Sequence, residues 1–216
     1  MLRASTWVLL LCVSISSLSA CTTTKVQTFS APSLAATKIE SIAILPFQPT
    51  RFGPYMALSL NRGIEQAFAA RNQRMRMVGP AEAQALLGAA NLVEVYAQLV
   101  RDYRTSGLLT QGALHQVHDA LNVDAILSGS LTSVVQLDGA PHRPAFTHLT
   151  LTYALIGLRH GVLLWDTAAT VNTKRTVFDT APDVEEGIPH AQEIIIANLP
   201  VVYLYAADNS IGPRIR

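Results

Sequence analysis

The sequence predicts an α/β fold: a mixed sheet with a parallel β-α-β start, then a helical insertion, then an antiparallel three-strand meander, with helices packed on the sheet. Three observations lead there. The run SIAILPF, Ser41 to Phe47, is apolar without alternation, as a strand buried on both faces requires. A helical stripe and a second short strand follow it. Three later runs alternate with period two across turn residues, the pattern of hairpin-connected strands.

The first strand is closed by Pro46, and Gly53-Pro54 opens a helix, Pro being placed where its missing N–H costs nothing. Leu60, Ile64, Ala67 and Phe68 form one stripe of this helix, while Asn61, Arg62, Glu65 and Gln66 face away. RMRMV, Arg74 to Val78, reads as the second strand with Met75 and Met77 turned inward. Strand, helix and strand in that order imply a right-handed parallel crossover.

Three shorter helices make the insertion. Gly79-Pro80 opens the first, through Leu87; Asn91 with Glu94 three residues on has the form of a capping box and opens the second; Thr110 caps the third, reaching Leu121. VDAILSGSLTSVVQL then resumes the sheet with Ala125, Leu127, Leu131, Val135 and Leu137 on one side. FTHLTLTYALIGL continues it through Leu149, Leu151, Tyr153 and Leu155, and VLLWDTAATVNT through Leu163, Trp165, Ala169 and Val171. Asp138-Gly139 and His160-Gly161 supply the turns. A last helix is expected within Pro182 to Asn198.

Upstream of the fold the chain carries a different signal. Arg3 gives a positive start, Trp7 to Ile15 is mostly apolar, and small residues follow, which is the pattern of a secretory leader. Nine residues are far fewer than the ~20 that a spanning helix needs. Leu18-Ser19-Ala20-Cys21 resembles the lipobox of bacterial lipoproteins, in which the cysteine becomes the acylated first residue. Of the two cysteines, Cys12 lies inside the leader, so Cys21 would be a lone thiol in an exported chain, and lipid attachment accounts for it. Several acyl chains on one residue anchor a soluble body firmly. Thr22, in place of Asp after the cysteine, resembles an outer-membrane address, with the body facing the periplasm.

The expected organisation is therefore a leader over 1–20, an acylated Cys21 with a flexible tether to 37, and one globular domain over 38–216, with 200–216 following the last helix. The segment TTTKVQTFSAPSLAAT, rich in Thr, Ser and Ala, would reach ~20 to 25 Å as a coil. The chain has 16 basic and 15 acidic residues, and loss of Arg3 with the leader balances the signs. With no basic block, nucleic acid is excluded as an expected partner.

LPF at 45–47, LNVDA at 121–125 with Gly129, and GVLLW at 161–165 occur in an order that resembles the α/β lipoproteins around the curli-secretion subunit CsgG, the penicillin-binding-protein activator LpoB and the amino-terminal domain of TolB. The resemblance covers most of residues 38–175. It implies a fold, and an envelope module that binds an unlike protein such as a cell-wall or export complex, or a homo-oligomer serving secretion. A CsgG-like pore would need strands with ~9 to 11 residues in the bilayer, and the connections at Asp138 to Ala145 and Arg159 to Gly161 are too short for them.

Catalytic machinery is not legible. His115 and His118 share a helix face near Asp119 but have no third ligand, so no metal is expected. SGS at 128–130 lacks the G-x-S-x-G elbow, and Gly129 instead suits a close approach by another backbone. DYR at 102–104 and DVEE at 183–186 offer carboxylates, the second at a helix start where negative charge is favoured. No phosphate-binding loop occurs, and no cofactor is implied. An unrecognised hydrolase is the least supported reading. IIIANLPVVYLYAA, Ile194 to Ala207, is broken by Asn198 and Pro200, which suits core or docking surface better than a span. Within it, Tyr203 and Tyr205 are candidate interface residues.

Overall fold

The computed structural model describes residues 21–47, 54–71 and 75–199. Over them the strands are β1 (Cys21–Ser30), β2 (Ser41–Ile44), β3 (Arg76–Val78), β4 (Ala125–Leu137), β5 (Pro144–Gly157) and β6 (Val162–Val177). The helices are α1 (Pro54–Arg71), α2 (Pro80–Ala89), α3 (Val93–Ser106), α4 (Gln111–Leu121) and α5 (Val184–Asn198), with a 3-10 turn at Pro32–Ala36. One open mixed sheet has the order β1-β6-β5-β4-β2-β3. The α/β class, the parallel start, the helical insertion and the meander are all present.

β2 lies between β3 and β4 and is parallel to both. That position explains its unbroken apolarity, since Ile42 and Ile44 enter one core and Ala43 and Leu45 the other. The first core lies under α1 and α5, where Leu60, Ile64, Phe68, Ile188 and Ile195 meet Leu127, Leu149, Tyr153 and Trp165. The second lies under α2, α3 and α4, where Leu87, Tyr96, Leu99, Leu114 and Val117 meet Val78, Ile126 and Ile156. Beyond those residues the second face of the meander is mixed, with Thr150, Thr170, His148 and Asn172 half-buried and Val135, Leu137 and Lys174 exposed.

Several expectations need correction. The segment read as a tether is largely β1, paired antiparallel with β6 from Cys21↔Lys174 to Ser30↔Trp165. It has few apolar residues, but Thr and Val suit a pleated surface, and Val26 packs against the first core. Val135 and Leu137 are exposed rather than in line with Leu131, because the register shifts between Leu131 and Ser133. One extra residue moves every following side chain to the other face, and Val134 takes the core position instead. A second shift, between Leu155 and Ile156, leaves Leu164 and Trp165 in the first core and turns Leu163 to the second.

Asn91 does not cap α3. It adopts φ 56°, and the bonds Leu92 N–H to Leu87 O (2.8 Å) and Asn91 N–H to Gly88 O (3.0 Å) make it the left-handed residue of a Schellman closure on α2. Glu94 instead pairs with Arg101 at 2.6 Å. Thr110 does occupy the N-cap position of α4, though its side chain makes no capping bond. Asn61 does not face away: its Oδ1 accepts from Phe47 N–H at 2.8 Å and so ties α1 to the end of β2.

Candidate anchoring and docking site

Leu18, Ser19 and Ala20, and Tyr203 and Tyr205 at the other end, lie outside the described residues. Cys21 is the first residue of β1. Strand register places it in a row with Lys174, Phe146 and Leu137 across four adjacent strands. The row marks one end of the sheet. Two connections, 138–143 and 178–183, close that end and are tied together. Gly139 N–H donates to Asp179 O at 2.9 Å, and Ala181 N–H to Asp138 Oδ1 at 2.8 Å. A Cβ at Gly139 would stand 2.6 Å from Phe178 N, so the approach requires glycine. Gln136 Nε2 and the buried Thr147 hydroxyl both donate to Pro182 O.

Apolar side chains are exposed at this end: Val135 (44%), Leu137 (38%), Val177 (42%) and Phe178 (73%). Phe178 has φ 68° and His142 φ 70°, left-handed conformations that histidine tolerates but that are unusual for a residue as bulky as Phe178. The Phe178 turn is held by Asp179, whose Oδ2 accepts from Thr176 N–H at 3.1 Å and from the Thr176 hydroxyl.

β1 is also a sheet edge. Ala31 N–H donates to Leu164 O, and Gln27 O accepts from the Thr167 hydroxyl, so the odd-numbered peptide groups turn toward β6. By alternation the N–H and C=O groups of Thr22, Thr24, Val26 and Thr28 point outward. Among the described residues β1 pairs with β6 alone, over ten residues, whereas the opposite edge strand β3 has three. A long, regular edge with Lys25 as its one charge is a template for another strand.

Concavities lie under the helices on both faces of the sheet. A cavity of about 50 Å³ under α3 is lined by Tyr96, Tyr103, Ser128, Thr152 and Asp166, with room for a few waters. Burial pushes the Asp166 carboxyl up, against an opposing hydrogen bond from Thr167 N–H, and burial with the nearby Asp166 charge pushes Tyr103 up. A groove of about 1070 Å³ between α1 and α5 carries the exposed Tyr55 and Leu58, with Gln192 at its base.

The residues weighed for catalysis are not brought together. Ser128 and Ser130 lie within β4, where Ser130 Oγ is 2.7 Å from Thr152 Oγ1 and Ser128 Oγ 3.4 Å from Tyr96 OH. Gly129 makes room for rings rather than backbone: a Cβ there would stand 2.5 Å from both Phe47 and Tyr153. His118 Nδ1 lies 3.3 Å from Asp119 Oδ1 and His115 is exposed. No group of three potential metal-ligating side chains occurs among the described residues. Asp183 caps α5, its Oδ1 accepting from Glu185 N–H at 3.2 Å. No described helix is long and apolar enough to cross a membrane. Sequence reading missed the β1 edge and Phe178. The Thr-Val alternation signalled the first, and nothing local signals the second.

No protein-family model matches the chain, and no curated protein matches it. Among solved structures it is similar to the PelC dodecamer from Paraburkholderia phytofirmans, at 14% identity and TM-score 0.46, covering 81% of this chain and 96% of that one. It is similar also to lipoprotein GNA1162 from Neisseria meningitidis, at 17% identity and TM-score 0.37, covering 74% and 99%. A third likeness is to the LpoB C-terminal domain from Salmonella enterica, at 12% identity and TM-score 0.34, covering 65% and 94%. At these scores the likenesses are partial ones of shape, and no property of those proteins passes to this chain on their account.

Proposed function

We propose that this chain is an envelope lipoprotein, anchored by acylated Cys21 and facing the periplasm from the outer membrane, that works as a protein-binding or assembly module rather than an enzyme. One observation carries the binding role: a ten-residue edge strand begins at the lipobox cysteine and leaves its outward peptide groups unpaired among the described residues. Strand addition supplies main-chain hydrogen bonds for affinity, and alternate side chains give specificity. The partner is an extended segment of an unlike envelope protein. A second copy of this chain, giving a homo-oligomer, is the other reading of the same edge.

Proline placed where an edge N–H points outward removes a donor to the partner while leaving the β1–β6 ladder intact. Thr28→Pro is therefore expected to abolish complex formation, measured as native mass of the detergent-extracted acylated protein, while Thr28→Ala retains it. Equal complex formation by both variants would rule out the edge. Mass and composition then separate an unlike partner from self-assembly.

A further inference from the structure

We propose that the Cys21 end of the sheet is a membrane-contact surface, on which Val135, Leu137, Val177 and Phe178 enter the headgroup region of an anionic bilayer and Lys174 and Arg143 meet its phosphates. The inference deepens the anchoring reading and rests on Cys21 carrying lipid.

Position is the first argument. Cys21 is already paired with Lys174, so no spacer separates the acylated residue from the folded domain. Adjacent strands lie ~4.8 Å apart, which puts Leu137 only about 14 Å from Cys21 along the row. Acyl chains leaving Cys21 bring the whole row to the bilayer.

Chemistry agrees with position. Exposed large apolar residues elsewhere are spread over other elements, among them Phe29 at the far end of β1, Leu58 on α1 and Leu108 after α3. At the Cys21 end four of them sit together with basic side chains. Of the acids nearby, Asp138 and Asp179 direct their carboxylates into the two connections, accepting from Ala181 N–H and from Thr176, Asp183 turns to Glu185 N–H at the helix start, and Glu186 pairs with Arg175 at 2.5 Å. Lys174 and Arg143 are exposed, and anionic lipid attracts such residues near its surface. Exposed apolar side chains beside Lys174 and Arg143 are a composition that interfacial contacts use.

Conformation is the third argument. Phe178 combines a left-handed backbone with the exposure of a whole ring, and Thr176, Asp179 and Gly139 hold it there. Folding alone gains nothing from that arrangement, whereas a bilayer surface gains a buried aromatic.

The test uses the acylated mature protein from membranes. Because Cys12 leaves with the leader and acylation blocks Cys21, one introduced cysteine takes an environment-sensitive fluorophore uniquely. Phe178→Cys, Leu137→Cys, Leu58→Cys and Leu108→Cys are each labelled and reconstituted in phosphatidylethanolamine–phosphatidylglycerol vesicles bearing shallow nitroxide lipids. Probes at 178 and 137 are expected to be quenched at least about threefold more than those at 58 and 108, as burial at the headgroup boundary requires. In Lys174→Glu/Arg143→Glu, quenching at 178 should lose its dependence on phosphatidylglycerol. Equal quenching at all four positions overturns the proposal. So does a fluorescence shift at 178 that rises with protein density without lipid quenching, which would assign the surface to a second copy. The mass of the N-terminal peptide reports lipidation separately, so a failed anchor and a failed surface are read in different measurements.

Discussion

Asp124 and Ser41 are joined through four hydrogen bonds, one of them between backbones, from Asp124 N–H to Ser41 O at 3.2 Å. The Asp124 Oδ2 accepts from Ser41 N–H at 3.0 Å and from the Ser41 hydroxyl at 2.8 Å, and Asp124 N–H donates to Ser41 Oγ at 3.0 Å. Glu40 N–H adds a further bond to Oδ2 at 3.0 Å. The cluster pins the entry of β2 to the entry of β4, although the partners are 83 residues apart in sequence.

Asp124→Asn should therefore cost about 1–2 kcal/mol, discounted because the group is only partly buried. Partial burial pushes its carboxyl up, but the bonds from Glu40 and Ser41, with Arg159 nearby, hold it below the usual carboxylate range. A lowered native value means that the stabilisation is present above the unfolded value of ~3.9 and fades as pH falls through the native one. Denaturant titrations should show a constant difference between native chain and variant at neutral pH, shrinking only below about pH 4. An unchanged difference at pH 2 would contradict the assignment.

Asp166 should behave in the opposite sense. Burial raises its carboxyl, so the native state favours the protonated form, and the destabilisation sets in as pH rises through ~3.9 toward the raised native value. Asp166→Asn should gain roughly 0.5 kcal/mol at pH 7 and nothing at pH 3. Thermal melts at the two pH values decide this, and a loss at pH 7 would show that the charged carboxylate is doing something the cavity geometry does not account for.

Gly63 and Gln192 set the spacing of α1 and α5. The buried Gln192 donates from Nε2 to Leu60 O at 2.7 Å and to Tyr153 OH at 2.9 Å, and a Cβ on Gly63 would stand 2.0 Å from its Oε1. Gly63→Ala should destabilise by about 1–3 kcal/mol despite alanine's better helix propensity. Gln192→Leu in the same chain should remove much of that increment in a double-mutant cycle. Additive losses would mean that the two residues do not meet.

Gly129→Ala should be more severe than an ordinary strand substitution, at about 2–3 kcal/mol, because the new methyl meets two rings at once. Phe47 and Tyr153 pack edge to face with centroids 5.6 Å apart, an arrangement the methyl would part. Phe47→Leu should lessen the effect of Gly129→Ala while being destabilising alone. The measurement is equilibrium unfolding of the four chains.

Much of the fold was legible because burial writes itself into periodicity. SIAILPF is apolar throughout because β2 is covered twice, and Leu149 through Leu155 alternate because β5 is covered by the first core at those positions. Position 132 was opaque, since a bulge inserts one residue without changing the composition, and Val135 and Leu137 read as core until the register is known. Asn91 was opaque for another reason: asparagine serves both helix starts and left-handed closures, and the choice depends on the carbonyls of Leu87 and Gly88. The lipobox resemblance at Cys21 was legible from its neighbours in sequence. The place of Cys21 beside Lys174 was not, because that pairing spans the whole meander.

The pairing of β1 also has a mechanical meaning. A pull on Cys21 directed along β1, out of its own end of the sheet, would load the hydrogen bonds from Cys21 to Ser30 together, in shear, and not one after another as in peeling. The first residue of the strand is thus the point of attachment of a clamp. Under the proposed anchoring, a load on the domain would reach Cys21 through this ladder, and the domain would keep its orientation where a coil of the same length would let it swing.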